Sequence, residues 1–394
     1  MKILMLTPYL PYPLLSGGQI RTYNLLKHLA KKHEITLFAL IKQQSEKKYV
    51  KEIAPFCQKV KVFKRSTKPF TLGNILRTGL SSYPFLVMRN YVPQAIQAIE
   101  QELANNDYDL IHAETFYMMP HLPETQVPII LVEQTIEYLG YESYANKAPF
   151  FLRPVLQIDI NKIKRWEKHY WKKADQLIVM SQKDKLFINQ LIKDQKKTKV
   201  VANGVDYQWF NQISRQLPDK PTFLYVGTFK WLPNIEAAEF LVEQVWDLIR
   251  KQLPQAQLKI VGNAPTPKIL NYHDPTKGIQ VTGRVKDIRQ AFKGSHTLIA
   301  PVFSGRGTRY KILEAMASGT PIVASATAVE GLNLTSGQQV LVTNDPDKMA
   351  ELSVQLIKNH KLWHKLAKNG QKFVQQHYDW PLIAGQLDQI YQSI

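Results

Sequence analysis

Apolar residues in this chain fall into two rhythms that alternate from one end to the other. Short continuous or alternating runs read as strands. Stretches in which apolar positions return every three or four residues read as helices. Residues 3–7 are the first run. The turn T-P-Y-L-P-Y-P-L-L-S-G-G follows, and a helix opens near Gln19 with Ile20, Tyr23, Leu25, Leu26 and Leu29 apolar. Residues 34–40 alternate through Ile35, Leu37 and Ala39 as a second strand. Residues 92–103 are helical, and residues 109–113 and 128–132 are strands. Residues 151–173 read as a long amphipathic helix with Val155, Ile158, Ile163, Trp166 and Tyr170 on one stripe. A strand in A-D-Q-L-I-V-M-S, a helix from Ser181 and a short strand at residues 200–202 complete the first half.

The second half repeats the alternation. T-F-L-Y-V-G is a strand and turn ending at Gly227. Residues 235–251 are a helix with Ala238, Leu241, Val245 and Leu248 in register. Residues 258–262, 278–283 and 297–301 are further strands. Residues 346–377 read as helix, Trp380-Pro381 breaks it, and residues 382–394 form a last helix. Strand and helix alternate throughout, which predicts an α/β protein with two Rossmann-like, doubly wound parallel sheets. Asn203-Gly204 is a turn signal that permits positive φ, and the domain boundary is placed there.

Residues 304–325, S-G-R-G-T-R-Y-K-I-L-E-A-M-A-S-G-T-P-I-V-A-S, carry the densest chemical signal. Gly305 and Gly307 let a backbone come close to a ligand. Ile312, Leu313, Met316 and Ala317 form a buried helical stripe, Gly319 and Pro321 stop the helix, and residues 322–324 read as a buried parallel strand. A glycine loop feeding a helix N-terminus is an anion site. Arg306, Arg309 and Lys311 surround it, beside the amides of Gly307 and Thr308, and suit a pyrophosphate. Basic residues in a first turn oppose the helix dipole, which weakens a purely structural reading. Glu314 shares a helix face with Lys311 and can accept hydrogen bonds from ribose hydroxyls. Gly17 and Gly18 close the first turn, but the pattern is not G-x-G-x-x-G, so a dinucleotide reading is weak.

The 304–325 stretch resembles the signature of family 4 retaining glycosyltransferases, most closely over L-E-A-M-A-S-G-T-P-I-V-A-S. Such enzymes use nucleotide-sugar donors on a GT-B fold, two Rossmann-like domains facing across a cleft. N-G-V-D followed by Phe210 is similar to the hinge phrase of that family. Gly17-Gly18 is similar to its N-terminal di-glycine, whose amides approach the donor pyrophosphate. The resemblance implies an acceptor domain over residues 1–203 and a donor domain over 204–379, with a C-terminal helix at 380–394 that packs back on the first domain. It implies Arg309 and Lys311 as the cations that stabilise the leaving diphosphate and Glu314 at the ribose. Gly227, Lys230, Gly305, Arg306, Gly307, Thr308 and Glu330 would line the donor.

The chain departs from that pattern at several places. The family usually carries two glutamates eight positions apart, and the first falls on Arg306 here. An arginine and a lysine common after the first glycine of the donor domain fall about at Thr228 and Pro233, which leaves either Lys230 as a substitute or Arg309 and Lys311 to carry the charge alone. His-Asn in many relatives falls on Gln134-Thr135, and Glu137 remains the acidic candidate on the acceptor side. The G-x-G-x-R-x-K and W-x-P-N forms resemble a recurring subgroup of the same family. His112 lies in a similar D-x-x-H segment but inside an apolar strand, where a satisfied core histidine is the better reading.

Composition narrows the partners. The 394 residues carry a net charge of +19, with 30 Lys and Arg against 17 Asp and Glu in residues 1–200. A basic first half suits an anionic membrane surface or a solvated, solubilising face. Residues 69–91 are apolar and aromatic, edged by Lys68, Arg77 and Arg89. They read either as a surface that dips into a headgroup layer or grips a lipid-linked acceptor, or as a packed helical hairpin. Cys57 is alone, so no disulfide framework or cysteine metal cluster is expected, and the reading is cytoplasmic with peripheral attachment to the inner membrane face.

The expected activity is transfer of a hexosyl group from a nucleoside diphosphate sugar to a glycan or lipid-linked acceptor hydroxyl. Retention follows from the resemblance, and neither a metal nor a cofactor is expected. A sugar-nucleotide epimerase or phosphorylase of the same fold stands as an alternative. A basic polyanion-binding protein is a second one, but it lacks interleaved aromatic motifs for nucleic acid and leaves the glycine loops unexplained.

Overall fold

The computed structural model describes the chain except Lys68, Pro69, Gln195, Lys196, Arg306 and Thr308, and the side chains of Leu72 and Lys147. It divides into two compact units, Met1–Ala202 with Ile383–Ile394, and Asn203–Leu382.

The first unit is built on β1 (Lys2–Thr7), β2 (Glu34–Ile41), β3 (Lys59–Lys64), β4 (Leu110–Glu114), β5 (Ile129–Glu133), β6 (Gln176–Val179) and β7 (Thr198–Val200). The strands lie in the order β3-β2-β1-β4-β5-β6-β7, and every pair is parallel. Apart from the edge strands β3 and β7, they are buried almost end to end, as helices on both faces require. Met5 sits between Leu37 and His112 in the register. Strand β3 is an addition to the sequence reading. Its K-V-K-V-F-K alternation gives an edge strand with only partly buried apolar positions.

Helices differ from expectation in instructive ways. The helix that follows β5, Glu137–Lys147, was not predicted. The long helix runs Arg153–Lys173 after a short 3-10 turn at Phe150–Leu152, and its inner face is Ile160, Ile163, Glu167, Tyr170 and Trp171. Val155 and Ile158, placed on the buried stripe by periodicity, are exposed. Periodicity reports that apolar residues share a face but not what covers it.

The chain's last segment completes the first unit. Asp388 accepts from Lys32 Nζ at 2.6 Å and pairs with His33 Nε2 at 2.8 Å. The Tyr391 hydroxyl lies 2.6 Å from His112 Nδ1, and His112 is fully buried.

The second unit contains β8 (Thr222–Val226), β9 (Gln257–Val261), β10 (Ile279–Gly283), β11 (Thr297–Ala300), β12 (Ile322–Ala324) and β13 (Leu341–Val342). The order is β10-β9-β8-β11-β12-β13, again all parallel. The expected helix at 346–377 is two helices, Pro346–Lys358 and His360–His377, because Asn359 leaves the helical conformation and its side chain caps the second at Leu362 N. In each sheet the strand order changes direction at one point, between β1 and β4 and between β8 and β11. Ligands of open α/β sheets bind beyond the carboxyl ends of strands at such points.

Hydrogen bonding to Lys32 and His33 holds the Asp388 carboxyl below its ordinary range. Its contribution to stability is therefore complete above the unfolded carboxyl's pKa and vanishes as pH falls through the native one. Asp388→Asn is expected to cost about 1 kcal/mol at neutral pH, since Lys32 is exposed and its share screened. Thermal unfolding should show the deficit at neutral pH and its disappearance in strong acid.

Candidate active site

The carboxyl ends of β8 and β11 bring the two glycine loops of the second unit together. Beyond β8 the chain turns at Gly227, and the Leu232–Phe240 helix begins after Trp231. Beyond β11 the chain passes through Ser304, Gly305 and Gly307 into the Tyr310–Ala317 helix, which begins after Arg309. Gly305 and Gly307 have φ of +88° and +85°, a conformation that favours glycine.

Side chains stitch these loops. Lys311, in the first turn of the second helix, donates to Asn234 Oδ1 at 2.9 Å and to the Tyr225 hydroxyl at 3.2 Å. Asn234 in turn donates to the Thr228 carbonyl at 2.9 Å, and Tyr225 donates to the Asn234 carbonyl at 2.9 Å. Ser304 donates to Glu236 at 2.6 Å, and Arg309 donates to the Ser304 carbonyl at 3.0 Å. Lys311 is buried, and burial followed by repulsion from Arg309 pulls its amine down to about 7. Among the described residues no carboxylate lies within ion-pair distance of it. Glu314, one turn on, is partly buried, and burial raises its carboxyl to about 7 against the pull of Lys311. Burial also lowers the Arg309 guanidinium, opposed by Glu330.

The predicted donor residues therefore divide. Arg309, Lys311, Glu314, Gly227, Gly305, Gly307 and Glu330 gather around the β8 and β11 ends or act electrostatically on that group. Lys230 is exposed on the turn beyond Gly227. Arg306 and Thr308 lie outside the described residues. Tyr225 and Asn234, which hold Lys311, were missed.

The first unit has its own polar cluster at the β1 and β4 ends. Ser16 caps the Gly17–Leu29 helix. A Cβ on Gly18 would meet the Tyr9 hydroxyl at 2.4 Å and Gln134 Oε1 at 2.6 Å, so any larger residue would push these two side chains aside. Gln134 donates to Tyr9 at 2.7 Å and to Glu114 Oε2 at 2.6 Å, and Glu114 pairs with His112 at 3.2 Å. Burial would raise the Glu114 carboxyl, but His112, Arg21 and Gln134 together hold it below its usual range. His112 is thus a satisfied core residue in a chain of contacts running from Tyr391 to the di-glycine turn.

Glu137 opens the helix after β5. Burial raises its carboxyl to about 7, and Arg89 opposes the shift. Glu167 accepts from the backbone N–H groups of Glu137 at 2.7 Å and Tyr138 at 3.0 Å, which fastens that helix start. Glu133 is buried beside them with Trp171 Nε1 on one carboxyl oxygen, and burial and Glu167 push it well above the carboxylate range. The sequence reading found Glu137 but not the two buried carboxylates beside it.

The family model described as Glycosyltransferase Family 4 matches residues 15–209, and that described as Glycosyl transferases group 1 matches residues 220–359. The chain belongs to glycosyltransferase family 4. A Klebsiella pneumoniae relative, an uncharacterized 44.6 kDa protein in cps region, is 21% identical over 403 residues and spans 96% of each chain. Sucrose-phosphate synthase from Thermosynechococcus elongatus superposes with a TM-score of 0.72 at 18% identity, covering 100% of this chain and 98% of that one. Anabaena HepE in complex with UDP and glucose gives 0.67 at 17% identity, covering 100% of both. The fold is that of the GT-B glycosyltransferases.

Two D-x-D triplets occur in this glycosyltransferase, and one aspartate of each has a structural task. In Asp107-Tyr108-Asp109, Asp109 accepts from the Lys2 N–H at 2.7 Å. In Asp345-Pro346-Asp347, Asp345 caps the Pro346–Lys358 helix. Among the described residues no three His, Cys, Asp or Glu side chains gather as a metal site.

Two outcomes follow for the loops of the transferase's second unit. A Cβ on Gly262 would lie 1.6 Å from the Gly227 carbonyl oxygen. Gly262→Ala is therefore expected to force the Gly227 turn aside, costing about 1–3 kcal/mol by denaturant unfolding. Lys311→Met removes a buried amine whose native value is depressed, so the penalty it relieves is full below pH 7 and fades as pH rises toward the ordinary lysine value. The ligand-free variant should melt higher than wild type at neutral pH, by about 2–4 °C per kcal/mol relieved. The difference should shrink in alkaline buffer.

Proposed function

We propose that the enzyme transfers a sugar from a nucleoside diphosphate sugar to an acceptor hydroxyl, with retention of anomeric configuration and without a metal. The observation that carries this reading is Lys311, a buried amine without a carboxylate partner among the described residues, held at the β8–β11 switch point beside Arg309 and the N-terminus of the Tyr310–Ala317 helix. A site with two cations and a helix dipole suits a diphosphate and strengthens as charge builds on it.

In this reading the bond between the sugar anomeric carbon and the diphosphate oxygen breaks, and its electron pair stays on the diphosphate. Lys311, Arg309 and the loop amides stabilise the developing negative charge. The acceptor oxygen forms the new bond on the same face, and its proton passes to a phosphate oxygen. Glu314 receives the ribose hydroxyls, and Glu137 in the first unit is the acceptor-side acid. The acceptor is a glycan or lipid-linked glycan of bacterial surface polysaccharide or glycolipid synthesis. The cps-region placement of the Klebsiella relative supports that choice.

Thermal-shift binding tests the donor assignment, with UDP, GDP, ADP and dTDP in the presence and absence of EDTA. UDP heads the set because the Anabaena neighbour holds it. One diphosphate should raise the melting temperature equally with and without EDTA. Lys311→Met should abolish the shift, and Glu314→Ala should weaken nucleotide binding while sparing free pyrophosphate. A shift that requires a divalent ion would overturn metal independence, and none with any nucleotide would overturn the site.

A further inference from the structure

The first unit exposes a broad apolar face that the described residues do not cover. Leu76 and Leu80 stand on the outer side of the Leu72–Leu80 helix, and Leu80 is 92% exposed. Phe70 before that helix is 77% exposed. Beside it, Phe150 and Phe151 lead into the Arg153–Lys173 helix, where Val155 and Ile158 are 68% and 62% exposed. Scattered exposed leucines are ordinary, but neighbouring ones on two helices are not.

The two helices are fixed to one another, so these side chains belong to one surface. Lys162 Nζ donates to the carbonyls of Thr78 and Ser81, both at 2.7 Å, at the end of the first helix. Trp166 Nε1 donates to the Ser82 carbonyl at 2.8 Å and stacks on Tyr83 at 4.4 Å. Asp159 accepts from Phe85 N at 2.8 Å, and Phe70 stacks on Phe85 at 5.1 Å.

Charge selects the occupant. Residues 53–99 contain no Asp or Glu. The two acids of the long helix turn inward, Asp159 to Phe85 and Glu167 to the start of the Glu137–Lys147 helix. Arg77, Arg153 and Arg165 are exposed around the apolar side chains. A second copy of this face would set those guanidiniums against their own kind with no acid to receive them. A layer of anionic headgroups above acyl chains answers both components at once, apolar side chains below and arginines at the phosphates.

We propose that the Leu72–Leu80 helix and the first turns of the Arg153–Lys173 helix dock the enzyme on an anionic lipid bilayer. The surface belongs to the unit assigned above to the acceptor, and it would present a lipid-linked acceptor to that unit. The docking itself needs no nucleotide sugar, so its failure leaves the donor reading standing.

Co-sedimentation of the full chain tests this with vesicles of equal parts phosphatidylcholine and phosphatidylglycerol, and with phosphatidylcholine alone. Wild type should pellet with the mixed vesicles and bind the neutral ones about tenfold less. The double variant Leu80→Glu, Val155→Glu should bind the mixed vesicles about tenfold less or weaker still. Arg77→Glu with Arg165→Glu should lose the preference for the anionic lipid. An unaltered melting temperature for each variant shows that the fold is intact. Wild type that stays in the supernatant, or a Leu80→Glu, Val155→Glu variant that pellets as wild type does, overturns the proposal. So does a wild-type dimer in solution that the same double variant dissociates, which would give the face to a second copy.

Discussion

A lysine amine taken out of water must be given hydrogen bonds or must give up its proton. Much of the second unit's loop structure follows from that constraint at Lys311. Its hydrogen bonds come from Asn234 and Tyr225, so the turn beyond β8 and the helix beyond β11 are fixed to each other. Asn234 passes the constraint on to Thr228, and the Tyr225 hydroxyl is spent on the Asn234 carbonyl. The turn beyond β8 and the start of the Tyr310–Ala317 helix are tied together by the group that an anionic ligand would most use. Such preorganisation is what electrostatic stabilisation of a leaving group requires.

The first unit meets a related problem with hydrogen bonds and a nearby cation. Glu114 is buried, and it remains tolerable because His112 and Gln134 hydrogen-bond it while Arg21 lies close enough to act on it. That network reaches the di-glycine turn through Tyr9 and Gln134, and the absence of a side chain at Gly18 is what lets them approach. Gln134 stands where relatives were expected to carry histidine. Here it works as a connector between Tyr9 and Glu114. The trio of Glu133, Glu137 and Glu167 is different, because burial raises all three carboxyls and neighbouring carboxylates raise Glu133 and Glu167 further.

The α/β class and the parallel sheets were legible because each strand and helix writes its rhythm locally. The loop at Gly305 and Gly307 and the helix bearing Lys311 and Glu314 were legible for the same reason, as residues close in sequence. The partners of Lys311 were not. Asn234 lies 77 positions away, and only the β8–β11 adjacency brings it near. Glu167 and Trp171 likewise reach the β5 end from a helix later in the chain. Val155 and Ile158 misled in the opposite sense, since a spacing that suits a core suits equally a face left open. Strand β3 was overlooked because lysines interrupt its apolar positions at the sheet edge, where they cost little.

The return of Ile383–Ile394 to the first unit has a consequence for synthesis. A nascent chain that has emerged through Ala202 holds all seven strands of its first sheet, yet His112 still lacks the Tyr391 hydroxyl and His33 lacks Asp388. Both vacancies persist while the whole second unit is being made. The first unit is therefore completed only after the second has been made, and for that interval these polar groups are left to water.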